Sequence, residues 1–157
     1  MNVVAASQVA IDSASALHLT SDTVLGHLRP GLEALGYEVE SSKNATGKVR
    51  RPVLFGENGQ ERLAYEVDAA HDELGIVVEI EAGRGARGNA VYRDIIRASL
   101  VVDVKYLAIG VMAEYRHQSS GKEMVVKSYG DAKAQFDAIY ASGRMQLPFF
   151  GVLLFGY

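Results

Sequence analysis

The chain has 157 residues, 48% of them hydrophobic, and a formal net charge of only −3. That length fits one domain able to bury roughly two thirds of its unfolded surface, and so small a net charge excludes a global field that would drive nucleic-acid binding. The absence of cysteine excludes disulfides and thiolate chemistry. With no charged-then-apolar leader and no apolar run near the ~18 residues of a membrane span, the expectation is a cytoplasmic protein with no membrane partner.

Residues 1 to about 20 are small and weakly apolar and read only as a helix or extended arm. The cluster Thr20-Ser21-Asp22 caps a segment with Val24, Leu25, Leu28, Leu32 and Leu35 at helical spacing. Pro30 predicts a kink inside it, since its ring meets the carbonyl of Gly26. Gly36 ends the helix, and Tyr37 to Glu40 starts an alternating strand. Residues 41 to 51 are polar and basic and predict a loop; Pro52 to Phe55 reads as a short edge strand and residues 57 to 60 as a turn.

The next stretch organises the chain. Two alternating runs, RLAYEVDAA and GIVVEIEAG, are separated by HDELG, which predicts a β-hairpin. Side chains alternate faces along a strand, so Glu66 and Asp68 share one face, as do Glu79 and Glu81. A turn centred near Asp72 and Glu73 puts Asp68 opposite Val77 and Glu66 opposite Glu79, gathering the acids together. On a solvated face they would simply meet water. Buried, they must take up protons or a cation, and a hard divalent ion prefers carboxylate oxygens at this density.

A glycine- and arginine-rich turn follows, then a helix from about 88 to 101 with Val91, Tyr92, Ile95, Ile96 and Leu100 on one side and Asn89, Arg93 and Arg97 on the other. Residues 105 to 113 are almost wholly apolar, as in a central strand, and complete a right-handed βαβ unit with the run at 76 to 82. A polar loop at 117 to 127 carries a short strand at Met124 to Val126; a helix from Asp131 to Ser142 and a strand from about Phe149 to Phe155 complete the order. Basic residues flank the acidic hairpin: Arg84, Arg87, Arg93 and Arg97 after it, Lys43, Lys48, Arg50 and Arg51 before it. That placement favours a phosphate-bearing partner.

Gly83 to Gly88 also fits G-x-G-x-x-G, a dinucleotide-binding pattern. The preceding strand is antiparallel to its predecessor and carries Glu79 and Glu81 where a pyrophosphate would lie, which disfavours that use. His18, His27, His71 and His117 show no metal-ligand spacing.

The order αβββαβ, with Asp68 near the end of one strand and Glu79-Ile80-Glu81 in the next, resembles the PD-(D/E)xK, or restriction-endonuclease-like, nuclease superfamily over residues 22 to 113. The resemblance implies a single α/β domain over residues 1 to 157, a three-layer α/β/α arrangement around a mixed central sheet. It implies a magnesium-dependent endonuclease that hydrolyses DNA phosphodiester bonds, with manganese as a substitute. Asp68, Glu79 and Glu81 would be catalytic, and Asp68, Glu79 and Glu66 would hold the metal, with the Ile80 carbonyl as a further candidate. Arg84, Arg87, Asn89, Arg93, Arg97, Lys48, Arg50 and Arg51 would hold DNA. Val67 stands where the family's proline lies and Glu81 where it carries lysine; Glu-x-Glu occurs there in some type II restriction endonucleases. The alternative is an inactive module of the same fold that binds nucleic acid or a protein. Cutting both strands would require a homodimer.

Overall fold

A computed structural model describes residues 2–15, 19–83 and 89–157. Two helices come first, α1 (Val3–Ile11) and α2 (Ser21–Glu33), each started by a side chain that satisfies an otherwise unpaired N–H. The Asn2 side chain accepts from the Ala5 N–H and the Thr20 hydroxyl from the Thr23 N–H. Pro30 lies inside α2, which runs on to Glu33. The chain then forms β1 (Glu38–Val39), β2 (Val49–Phe55), β3 (Glu61–Val67), β4 (Ala69–His71) and β5 (Ile76–Glu81). After α3 (Ala90–Leu100) come β6 (Tyr106–Val111), β7 (Tyr115–Ser119), β8 (Lys122–Val126), α4 (Ser128–Ser142) and β9 (Gly151–Gly156).

Five strands make the central sheet, in the order β1-β4-β5-β6-β9. The β1-β4 and β4-β5 pairs are antiparallel; β5-β6 and β6-β9 are parallel, so the sheet is mixed as expected. The alternation along β5 sends side chains to two cores. Val77 joins α3 and α4 through Val91, Ile95, Ala132 and Phe136. Val78 and Ile80 join α1 and α2 through Ile11, Val24 and Leu28. Helices therefore cover both faces of the sheet. Among the described residues, no helix is long and apolar enough to cross a membrane.

The acidic hairpin differs from the expectation in two ways. Residues 61–67 pair with β2 in a separate two-stranded ribbon, and the chain bends at Asp68 before the three residues of β4 enter the central sheet. The register is also displaced: Ala69 faces Val78 and Ala70 faces Val77, which by continuation sets Asp68, and not Glu66, opposite Glu79. The turn explains the displacement. It closes over residues 72–75 with the Gly75 N–H bonded to the Asp72 carbonyl, and Gly75 at φ 65° belongs to the turn and not to the strand.

Other expectations shift less. Residues 49–51, read as loop, extend β2, because Val49 is buried against Val67. The segment at 117 to 127 is a hairpin, with Ser120 at φ 51° and Gly121 at φ 75° in its tight turn. On α3 the buried stripe is Val91, Asp94, Ile95 and Ala98, whereas Tyr92, Ile96 and Leu100 are exposed. They lie about 100° or more around the helix from Val91, beyond reach of the sheet.

Gly75 has a second constraint, since a Cβ there would lie 2.6 Å from the Asp103 carbonyl. Gly59 has a similar φ, 70°, but open space around it. We therefore expect Gly59→Ala to cost about 1 kcal/mol and Gly75→Ala roughly 2–4 kcal/mol, measured by urea unfolding.

Candidate functional site

A cavity of about 190 Å³ opens where β3, β4, β5 and α3 meet, with almost entirely polar walls. Asp68 sits at the bend between β3 and β4, where its Oδ2 accepts the Ile80 N–H at 2.7 Å. Glu79 points to the same face of the sheet and is only 7% exposed. Its Oε1 is buried without a hydrogen-bond partner, and so is Oδ2 of Asp94, which α3 projects from its buried stripe. Glu81, one repeat along β5, accepts from Arg93 Nη2 at 2.5 Å, and the same guanidinium reaches Asp94 Oδ1 through Nε at 3.0 Å. The hydroxyl of Tyr157 fixes this end of β5 by donating to the Glu81 carbonyl at 2.9 Å.

A second group borders the first. Glu40 is buried beside Asp68, its N–H bonded to the Asp68 carbonyl, and its two carboxylate oxygens each accept from a lysine at 3.0 Å, Lys43 and Lys48. Lys48 also meets Glu66 Oε2 at 3.3 Å. Glu66 is half-exposed and lies at the rim. Arg97 donates to the Glu66 carbonyl and rests over the Tyr65 ring, so its charge also lies at the mouth.

The structure thus brings together Asp68, Glu79, Glu81, Glu66, Lys48, Arg93 and Arg97. Arg51 is not brought to them, and Arg50 stands opposite Glu66 across the β2-β3 pair but does not line the cavity. Arg50 is exposed near Glu61, and Arg51 points from the other side of β2 to Glu38 and Asp72, at the turn end of the β4-β5 hairpin. Asn89 is exposed at φ 62° just before α3 and does not line the cavity. Arg84 and Arg87, with the rest of the G-x-G-x-x-G stretch after Gly83, and His18 lie outside the described residues. Glu40 and Asp94 were not read from the sequence as site residues. Asp94 had a usable signal, a lone acid between Val91 and Ile95 on the apolar side of a helix.

Burial makes this an electrostatically costly arrangement. It raises the proton affinity of Asp68 to about 6, reinforced by Glu40 and Asp94 and opposed by the Ile80 N–H and by Lys43. Glu79 is pushed well above the ordinary carboxylate range by burial first, then by Asp68 and Asp94. Glu81 rises to about 8 through burial and a hydrogen bond with Asp94, although Arg93 acts the other way. A cavity of this kind holds protons near neutrality or exchanges them for a cation.

The donor set suits a hard divalent ion, with two buried carboxylate oxygens free of partners. As the side chains stand, however, no group of three or more His, Asp or Glu among the described residues is placed to hold a metal. Arg93 occupies Glu81 and Asp94 instead. Comparison with protein-family models, curated proteins and solved structures gave no match for the chain.

The raised affinities have a consequence for stability. A folded state that binds more protons than the unfolded chain is most stable in acid and loses stability as pH rises, here from the ordinary carboxylate range through about 6 for Asp68 and about 8 for Glu81. Without divalent ions, Tm should fall between about pH 5 and about pH 8, and Glu79→Gln should flatten that fall by removing an ionisable carboxyl. Thermal unfolding of both proteins across that range checks it; a Tm that climbs toward pH 8 contradicts it.

Proposed function

We propose that the chain is a metal-dependent endonuclease of restriction-endonuclease-like fold that hydrolyses DNA phosphodiester bonds with magnesium, or manganese in its place. The observation that carries this reading is the pairing of Asp68 and Glu79 across the β4-β5 hairpin, with Asp94 buried behind them and Lys48, Arg93 and Arg97 around the mouth. Excess buried carboxylate suits a cation, and cations at the rim suit the phosphates of a nucleic-acid strand.

Asp68 and Glu79 would hold the metal, the first oriented by the Ile80 N–H and the second with a free oxygen turned inward. Glu66, paired with Lys48 at the rim, would complete the set from outside. The bound cation supplies charge neutralisation at the scissile phosphate and easier deprotonation of water. Glu81 would take the proton from the attacking water, a role that its raised affinity suits near neutral pH. Arg93 would release Glu81 and Asp94 to grip a phosphate oxygen, and Lys48 and Arg97 would hold the flanking backbone.

A second reading is a module of this fold that binds nucleic acid or a protein without cutting. The ion pairs of Arg93 favour it, because they occupy Glu81, the carboxylate that cutting would use as proton acceptor, and Asp94 behind the metal-holding pair.

Plasmid nicking separates the two. We expect nicking with magnesium or manganese that rises with pH as the buried carboxylates, Glu81 among them, lose their protons. Asp68→Asn and Glu79→Gln should each lower the rate roughly 100-fold or more, and Glu81→Gln by about 100-fold. Nicking unchanged by Asp68→Asn and Glu79→Gln contradicts the assignment, and DNA binding without nicking favours the module.

A further inference from the structure

Two oxygens of the acidic cavity stand apart from the rest. Asp68 spends Oδ2 on the Ile80 N–H, Glu81 accepts from Arg93, and Glu66 meets Lys48 at the rim. Oε1 of Glu79 and Oδ2 of Asp94, by contrast, are buried with no hydrogen-bond partner. A buried carboxylate oxygen left unpaired is costly, and here two such atoms line one cavity.

They come from different elements. Glu79 lies in β5, whereas Asp94 is 1% exposed in the buried stripe of α3, beside Val91 and Ile95. A helix position facing a sheet ordinarily carries an apolar side chain, so an acid kept there answers to something other than packing. Arg93 orients it: Nε donates to Asp94 Oδ1 at 3.0 Å, which leaves Oδ2 for a further partner.

Charge points the same way. Asp68, Glu79, Glu81 and Asp94 all line the cavity, and among the described residues Arg93 is the one cation paired with any of them. One proton shared by Glu79 and Asp94 would satisfy both orphan oxygens and still leave a negative charge buried. A divalent cation satisfies both and removes that charge.

We propose that Asp94 is a direct ligand of the divalent cation, holding it with Glu79 between β5 and α3. The inference rests on the metal-dependent reading and adds to it a ligand from the α3 side, with Glu66 acting only from outside. Magnesium is commonly held by one or two carboxylates and keeps several waters, so a group of three need not stand ready among the described residues.

Manganese titration calorimetry compares the wild type with two variants. Asp94→Asn should weaken binding at least ~100-fold and Glu66→Gln by no more than ~3-fold, with circular dichroism confirming that both are folded. A second variant tests contact itself. The chain has no cysteine, a small side chain that buried sites accept, so Asp94→Cys introduces its only thiol. Thiolate ligands prefer soft ions, and one equivalent of cadmium should give a thiolate-to-cadmium ultraviolet band that Glu79→Gln in the same chain removes. Wild type that takes up no manganese overturns the metal-dependent reading and this assignment together. Wild-type binding that survives Asp94→Asn, or Asp94→Cys that gives no band, overturns this assignment alone.

Discussion

The bend at Asp68 is the constraint from which the site follows. Seven residues of β3 pair with β2 outside the central sheet, and three residues of β4 pair with β5 inside it. The residue between them is held by its own side chain, which accepts the Ile80 N–H, and by its carbonyl, which accepts the Glu40 N–H. A carboxylate spent on a buried backbone donor is thereby fixed against Glu79, and α3 closes over both with Asp94. The result is a concentration of negative charge with only partial compensation: Arg93 serves Glu81 and Asp94, Lys43 and Lys48 serve Glu40, and among the described residues no cation pairs with Glu79. Folding tolerates this by holding protons, at a cost in stability that grows with pH.

That cost is the physical argument for function. A buried carboxylate pair could be replaced by apolar residues with little loss, and often with a gain, if packing alone were at stake. Proton affinities raised in one cleft, bordered by arginine and lysine, are the arrangement expected where a cation and a phosphate are to be held together. Arg93 closes the cleft on itself by pairing with Glu81 and Asp94, and under the proposed function it is the side chain that would move to admit a ligand.

Much of this was legible in the sequence because it rests on short-range periodicity. The strands at Glu79 and Tyr106, the helix from Ser21 and the turn at HDELG all follow from alternation, capping and glycine placement. The face shared by Asp68 and Glu79 was readable too, since parity survives a register displacement of two residues. What was not readable depended on tertiary choice. Nothing local tells β3 to pair with β2 in place of β5, and nothing in α3 tells which of two apolar stripes the sheet selects. Glu40 was missed for the same reason, as it becomes a site residue only when the bend at Asp68 packs against it, whereas Asp94 carried a local signal as a lone acid on the apolar side of α3.

The central claim is that the cavity around Asp68 and Glu79 exchanges protons for a divalent cation. Titration calorimetry with manganese near pH 7, repeated in two buffers of different ionisation heat, measures that exchange directly. The account predicts saturable binding with net proton release, both lost in Glu79→Gln. Absence of binding, or binding that releases no protons and survives Glu79→Gln, would contradict it.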